Sequence, residues 1–337
     1  MKLNLDRFLW ISVLMVLINP MIGMTKPPSG PFGVLNHFPP HMMFLTPMPH
    51  APQTGAQKTF TGALSFDYFS VYSYASSYDH SILMDMEAMV VDLRLVYGLT
   101  DELSFGLRVP MVSMQDGFMD NPLEWFHHSL GLPNYGKERR TKNEFAYRIR
   151  KDGRPWFQSK KGGLNLLDST IFTQINLIDL KKKNPTKIDL TYEVKLPIGD
   201  KTAGFGSGAL DYGFFIPVQF SLSRIDAYLM PGYIRIGSPR LNNTDISVRD
   251  IKSFFIGCEY PYTSNVSLVA QINAYTSPFG NTGIERLDDA SVELALGLRW
   301  AVTSKINTEM AFCEDLTRSA PDFNLHLMMD FKIPSIF

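Results

Sequence analysis

Cysteine is almost absent: Cys258 and Cys313 are too few for a disulfide framework and show no metal-ligand spacing. Neither sign of charge is in excess. The 32 Lys and Arg against 33 Asp and Glu leave a formal charge of −1, so no global field gathers nucleic acid. Long apolar runs are missing as well. The longest, Phe8 to Ile18, is far shorter than the roughly 20 residues a spanning helix needs, so a membrane role would require strands. The glycines of GFGSGALD (204–211) lack a following Lys-Ser/Thr and any strand-to-helix setting, which excludes a phosphate loop.

What is present begins with residues 1–25, where Lys2 and Arg7 precede the apolar run and Asn19 and Pro20 break it. This pattern is expected of an export signal, cut after Gly23 or Thr25; the bland alternative is a buried N-terminal helix. Residues 26–58 form a proline-rich lead-in without usable period, expected to be extended and irregular. Lying just before the first strand, it could tuck into a barrel as a plug anchored by Phe38, Met42, Met43, Phe44 and Leu45, or hang free as a tail.

From Thr59 onward, residues 59–337, the pattern changes to period two. Twelve strands are expected: 60–72, 83–97, 103–112, 164–178, 187–197, 211–222, 227–237, 252–261, 265–275, 290–301, 305–313 and 323–335. KIDLTYEVKLP is the clearest, with Ile188, Leu190, Tyr192, Val194 and Leu196 alternating against Lys187, Asp189, Thr191, Glu193 and Lys195. Read in this register, the apolar faces hold no Asp, Glu, Lys or Arg, as expected if a basic residue at mid-bilayer costs about 2–4 kcal/mol. Connections at 98–102, 179–186, 223–226, 262–265 and 302–305 are short and alternate with long ones. The expected fold is therefore all-β: a transmembrane up-and-down antiparallel β-barrel of about 12 strands, with one short helix in a long extracellular loop. Tyr97, Tyr228, Tyr260 and Trp300 fall beside short turns, where an interfacial aromatic girdle belongs. A soluble antiparallel barrel or sandwich alternates equally well but leaves the loop asymmetry, the export signal and the terminal aromatic unexplained.

Five stretches carry a family resemblance: GPFGVLNHFPPHMMFLTPMP (30–49), YGLTDELSFGLRVP (97–110), GFMDNPLEWFHHSLGLPNYGKERRTKNEF (117–145), VKLPIGDKTAGFGSGALDYG (194–213) and SPFGNTGIERLDDASVELALGL (277–298). The chain resembles the bacterial outer-membrane proteins known only as domain of unknown function thirty-one eighty-seven. Residues 117–145 are the specific part; the turn-and-strand phrases are general to such barrels. The resemblance implies a barrel in the outer membrane and implies no activity. The closing strand ending in Phe337 is similar to the signal read by the bacterial barrel-assembly machinery, which is thus an expected partner.

Several residues are candidates for chemistry. Asn121, Pro122 and Glu124 read as the start of a helix ended by Gly131, and such an element either narrows the lumen, packs on the rim or frays in solvent. Glu124 with His127 or His128 has helical spacing for two metal ligands, but no further ligands follow, so no metal and no cofactor are expected. KERRTK (137–142) presents Arg139 and Arg140 to lipopolysaccharide phosphates, or is simply solvated. The wet strand faces supply Arg94, Arg108, Asp168, Glu193, Lys195, Asp211, Arg235, Glu259, Glu293 and Arg299 toward the lumen, as a pore lining or a cross-linking network. His326 and Asp330 share the wet face of the last strand without a marked nucleophile. These features lead to a monomeric passive channel or binding scaffold for small or apolar solutes. A closed structural or surface-interaction barrel is the second reading, and an outer-membrane lipid-modifying enzyme the third. Outer-membrane lipid and lipopolysaccharide are the expected surroundings, and nucleic acid is not a partner.

Overall fold

The computed structural model describes residues 30–52, 57–131, 137, 140–180, 185–241, 244–245 and 247–333. The expected export signal, Arg139 and the terminal Phe337 lie outside the described residues.

Twelve antiparallel strands follow one another around a closed barrel. They are β1 (Phe60–Ser76), β2 (His80–Gly98), β3 (Leu103–Gln115), β4 (Ser169–Leu180), β5 (Thr186–Leu196), β6 (Asp211–Phe215 continued by Val218–Leu222), β7 (Ile225–Arg235), β8 (Ile251–Pro261), β9 (Val266–Tyr275), β10 (Ser291–Ala301), β11 (Ile306–Asp315) and β12 (Phe323–Ile333). β1 pairs with β12 from Phe60↔Ile333 to Ser70↔Phe323, which removes both sheet edges. β6 is interrupted where Pro217 brings no N–H to the ladder; Ile216 N still donates to Pro231 O at 3.0 Å, and Pro217 O accepts Asp189 N at 3.0 Å.

β1 and β2 run for 17 and 19 residues, well beyond the 9–11 that cross a bilayer. Their excess stands above the barrel at the long-loop end. There β2 stops pairing with β3 at Glu87↔Gln115 and pairs instead with Ala146–Lys151, the first arm of a rim hairpin whose second arm is Arg154–Gln158. That hairpin turns on Asp152 (φ 49°) and Gly153 (φ 72°), the left-handed pair that a two-residue turn needs. The Asp-Gly between AYRIRK and RPWFQ was its signal in the sequence. β4 accordingly starts at Ser169 rather than 164, since Asn165–Leu166 makes only a two-residue contact with β3.

Alternation orients the strands. On β12, Asn324 and His326 are buried inside while Leu327 and Met329 are exposed outside; on β8, Phe255 and Glu259 are inside and Phe254 and Ile256 outside. β7 corrects the expected register: Asp226, Tyr228, Met230 and Ile234 point inward, and Tyr233 and Arg235 are exposed on the outer face. The inner face is apolar here because Met230 and Ile234 belong to a core inside the barrel, so both faces of 227–237 looked greasy. Tyr228 therefore leaves the expected girdle and donates to Glu259 Oε2 at 2.8 Å, while Trp300 is exposed and Tyr97 packs on Phe60. Leu327 lies mid-strand on the outer face between Phe66 and Met310. Leu327→Arg is expected to lower the unfolding free energy in lipid vesicles by about 2–4 kcal/mol, read from urea titration of heat-modifiable gel migration.

Candidate functional site

The lumen is filled by the lead-in, and backbone chemistry explains how. An irregular segment inside a barrel has no strand to pair with, yet every buried N–H needs an acceptor. Residues 30–52 reduce the demand with six prolines, which carry no N–H. The segment's own Asn36 side chain and carbonyls take the N–H groups of Phe38, His41, Met42 and Phe44, and wall side chains take four more. Gly30 N donates to Glu259 Oε2 at 3.0 Å, Phe32 N to Gln271 Oε1 at 2.8 Å, Gly33 N to Glu309 Oε1 at 3.3 Å and Leu45 N to Asp211 Oδ2 at 2.9 Å. Gln271 also donates back to Phe32 O at 3.2 Å, and Asn273 to Pro47 O at 3.3 Å.

These contacts trace a re-entrant hairpin. Gly30 enters among Glu259 and Arg299, near the short-turn end. Asn36 reaches Ser291 and Ser319 O, at the long-loop end. A single 3₁₀ turn, His41–Met43, makes the tip. The chain then descends past Asp211 to Ala51, whose Cβ lies 3.6 Å from where a Cβ on Gly30 would stand. Of the five expected anchors, Phe38, Met43, Phe44 and Leu45 are fully buried and Met42 packs partly buried against the same core. His41 donates to or accepts from Tyr275 OH at 3.0 Å and stacks on Phe279, which also takes the edge of Phe44 and the face of Trp156.

The inward charges are organised around this hairpin. Arg299 forks onto Glu309 Oε2 through Nε (2.8 Å) and Nη2 (2.6 Å). His326 bridges Asp67 (2.8 Å) and Glu309 (3.1 Å), and His37 of the hairpin adds a 3.3 Å contact to Asp67. Arg108 meets Asp92 at 3.4 Å, Arg94 lies 4.8 Å over the Phe172 ring, and Glu193 is buried in the field of both arginines. Lys195 holds Asp168, Asp211, Ser207 and the Ala209 carbonyl together at the long-loop end. Glu293 is buried below Ser291 on the inner face of β10. Arg235 alone of the ten expected lumen charges lies on the outside. Asp67, Glu309 and His37, which do the linking, were not among them; period two marks the first two as inward, but nothing in the sequence joins them to a lead-in.

With both ring nitrogens of His326 taken by carboxylates, and Asp330 bonded to Asn307 at 2.7 Å, neither residue is set to activate a nucleophile.

The long loop after β3 goes outward, not into the lumen. Its helix, α1, spans Asp120–Leu130, two residues earlier at its start than expected and without a side-chain cap; Gly131 ends it at φ 70°. Asp120 instead accepts Asn143 N at 2.7 Å and pairs with Lys137 at 2.9 Å, contacts that outweigh a capping box at Glu124. Glu87, on the outer face of β2, accepts Phe118 N at 2.9 Å and Met119 N at 2.5 Å. Gly117 (φ 72°) permits this, because a Cβ there would stand 2.0 Å from the Glu87 carboxyl. Glu124 binds Lys142 at 2.6 Å, His127 is buried and His128 exposed, and among the described residues no group of three His, Cys, Asp or Glu is placed to hold a metal ion. Arg140 contacts Asp85 at 3.5 Å and Glu144 at 3.3 Å. Burial alone would lower the Lys137 ammonium, but its bonds to Asp85 and Asp120 outweigh that and hold it above the usual lysine value.

A closed twelve-strand antiparallel barrel with short turns at one end is the architecture of outer-membrane barrels. Among solved structures, the COG4313 outer membrane channel from Pseudomonas putida F1 is similar at TM-score 0.57 and 13% identity, over 84% of this chain and 98% of that one. The NanC porin matches at 0.46 and 9%, over 80% of this chain and 100% of that one. These likenesses concern the fold. By sequence, the chain belongs to the family described as Protein of unknown function (DUF3187), which it matches over residues 10–333. None of the curated proteins matches it.

Burial pushes His41 down to about 3; burial, then the Arg94 charge, pushes His50 down to about 4. Both belong to the lead-in and would return to about 6.5 if it were solvated. The inserted hairpin thus binds fewer protons than a withdrawn one. Its histidine-linked stability is complete above pH 6.5 and is lost as pH falls toward about 4 for His50 and about 3 for His41, at about 1.4 kcal/mol per histidine per pH unit. Protease cleavage within residues 30–52 should rise as pH falls from 7 to 5, and this dependence should flatten in the His41→Gln, His50→Gln variant.

Proposed function

We propose that the protein is an outer-membrane channel for small solutes, held shut at rest by the lead-in hairpin, with its short turns in the periplasm. The observation that carries this reading is topological. The obstruction is neither a strand nor a loop between strands; its two ends lie at the short-turn end, so it can leave as a hairpin without unpairing any strand. The likeness in fold to the Pseudomonas putida channel supports the class. A lumen of twelve strands is narrow, so the cargo would be small.

A second reading, a barrel closed for good and used as a structural or surface element, draws on the aromatic packing of His41 and Phe44 against Tyr275 and Phe279, with Phe38 edge-on to His41. Apolar contact of this kind favours a lasting seal.

Planar-bilayer recording separates the two. The full-length protein is expected to be mostly silent, whereas Leu45→Asp, which sets a second carboxylate against Asp211, and deletion of residues 30–52 should each give stable openings. Folded, inserted barrels of both variants that stay silent would contradict the channel.

A further inference from the structure

Residues 137–161 hold ten lysines and arginines against three acids, in a chain whose total charge is −1. The sequence run 137–142 at the start of this stretch is not where the free charge lies. Lys137, Arg140 and Lys142 are spent on Asp85, Asp120, Glu144 and Glu124, and fix the loop to the outer face of β2. Among the described residues, Arg148, Arg150 and Arg154 have no carboxylate at ion-pair distance, and Arg150 Nε has no hydrogen-bond partner. The rim hairpin explains where they point. Tyr147 and Ile149 are buried inward in the core, so Arg148 and Arg150, alternating with them, face outward about 7 Å apart. Arg154, opposite Lys151 after the turn, is exposed but shares the face of Tyr147 and Ile149, so the outward pair is Arg148 and Arg150.

Their height can be read from the register. Arg148 is opposite Leu83 on β2, and the uppermost exposed apolar residue of the same outer face is Met89. The separation is roughly 20 Å along the tilted strand, or about 15 Å in height, which puts the backbone of these residues above the hydrocarbon, with long side chains able to reach back toward the headgroups. Two large apolar side chains stand exposed on the same flank: Trp125 of α1 (72%) and Phe118 (64%), the latter against Tyr68 on the outer face of β1. Aromatic groups at an interface beneath guanidinium forks make one amphipathic surface.

We propose that this outer flank binds a phosphorylated glycolipid of the surrounding leaflet. Arg148 and Arg150 take its headgroup phosphates, and Trp125 and Phe118 enter the boundary of its acyl chains. The inference takes the membrane placement from the proposed function and is independent of whether the lumen conducts.

The test uses the full chain in detergent micelles, with native mass spectrometry reading bound diphosphoryl lipid A, monophosphoryl lipid A or inorganic phosphate. Diphosphoryl lipid A should bind more tightly than monophosphoryl. The R148Q/R150Q variant should lose at least tenfold in affinity for the former and most of the difference between the two. Trp125→Ala should weaken both lipids alike and preserve that difference. Equal binding by the double variant with its barrel folded, or no preference for the second phosphate, would overturn the proposal. Arginine-dependent binding of inorganic phosphate as tight as that of lipid A would overturn the lipid in favour of a free anion. Absence of insertion into lipid vesicles would instead sink the membrane placement, a separate outcome.

Discussion

The structure depends on satisfying backbone donors where neither water nor a neighbouring strand is at hand. A barrel wall does this for itself, each strand bonding both neighbours until β1 meets β12. The lead-in cannot, because it runs through the lumen without joining the sheet. Its solution is to carry six prolines, to bond partly within its own turn and to aim four N–H groups at carboxylates and an amide of the wall: Glu259, Gln271, Glu309 and Asp211. A hydrogen bond to an ionised acceptor is roughly twice as strong as a neutral one. The acids on the inner face therefore serve the hairpin directly, and Arg299, His326 and Lys195 balance the charge left over.

The wall has two kinds of inner surface as a result. Around the tip it is apolar and aromatic, with Phe215, Phe255, Phe279 and Trp156 receiving Phe38, Phe44 and Leu45. Lower down it is ionic, with only a small apolar patch of Phe32 and Val34 against Val269, Ala295 and Cys313. The upper contacts are apolar packing, while the lower ones are buried hydrogen bonds and ion pairs.

Much of this was legible in the sequence. Strands such as Thr186–Leu196 and Phe323–Ile333 alternate a charged face with an apolar one, and their bounds and orientation follow directly. β7 does not, because a filled barrel places Met230 and Ile234 inside and lipid-facing residues outside, and period two loses its contrast. The rim hairpin was hidden in a stretch taken as loop, since its two short arms complete their pairing only against the upper part of β2. The outward path of α1 is set by Glu87, which with Asp85 breaks the charge-free apolar face expected for 83–97; both stand at or beyond the upper end of the pairing of β2 with β3, where the loop covers them. The partners of buried charges were the least legible, because the links between Asp67, His326, Glu309 and His37 join elements far apart in the chain.

Hydrogen–deuterium exchange on the full-length protein in nanodiscs tests the central claim most directly. If wall acceptors hold the lead-in inside the barrel, the amides of Gly30, Phe32, Gly33 and Leu45 will be protected for times comparable to those of β8 and β9. Exchange of residues 30–52 at the rate of an unstructured peptide, with the strands still protected, would contradict it.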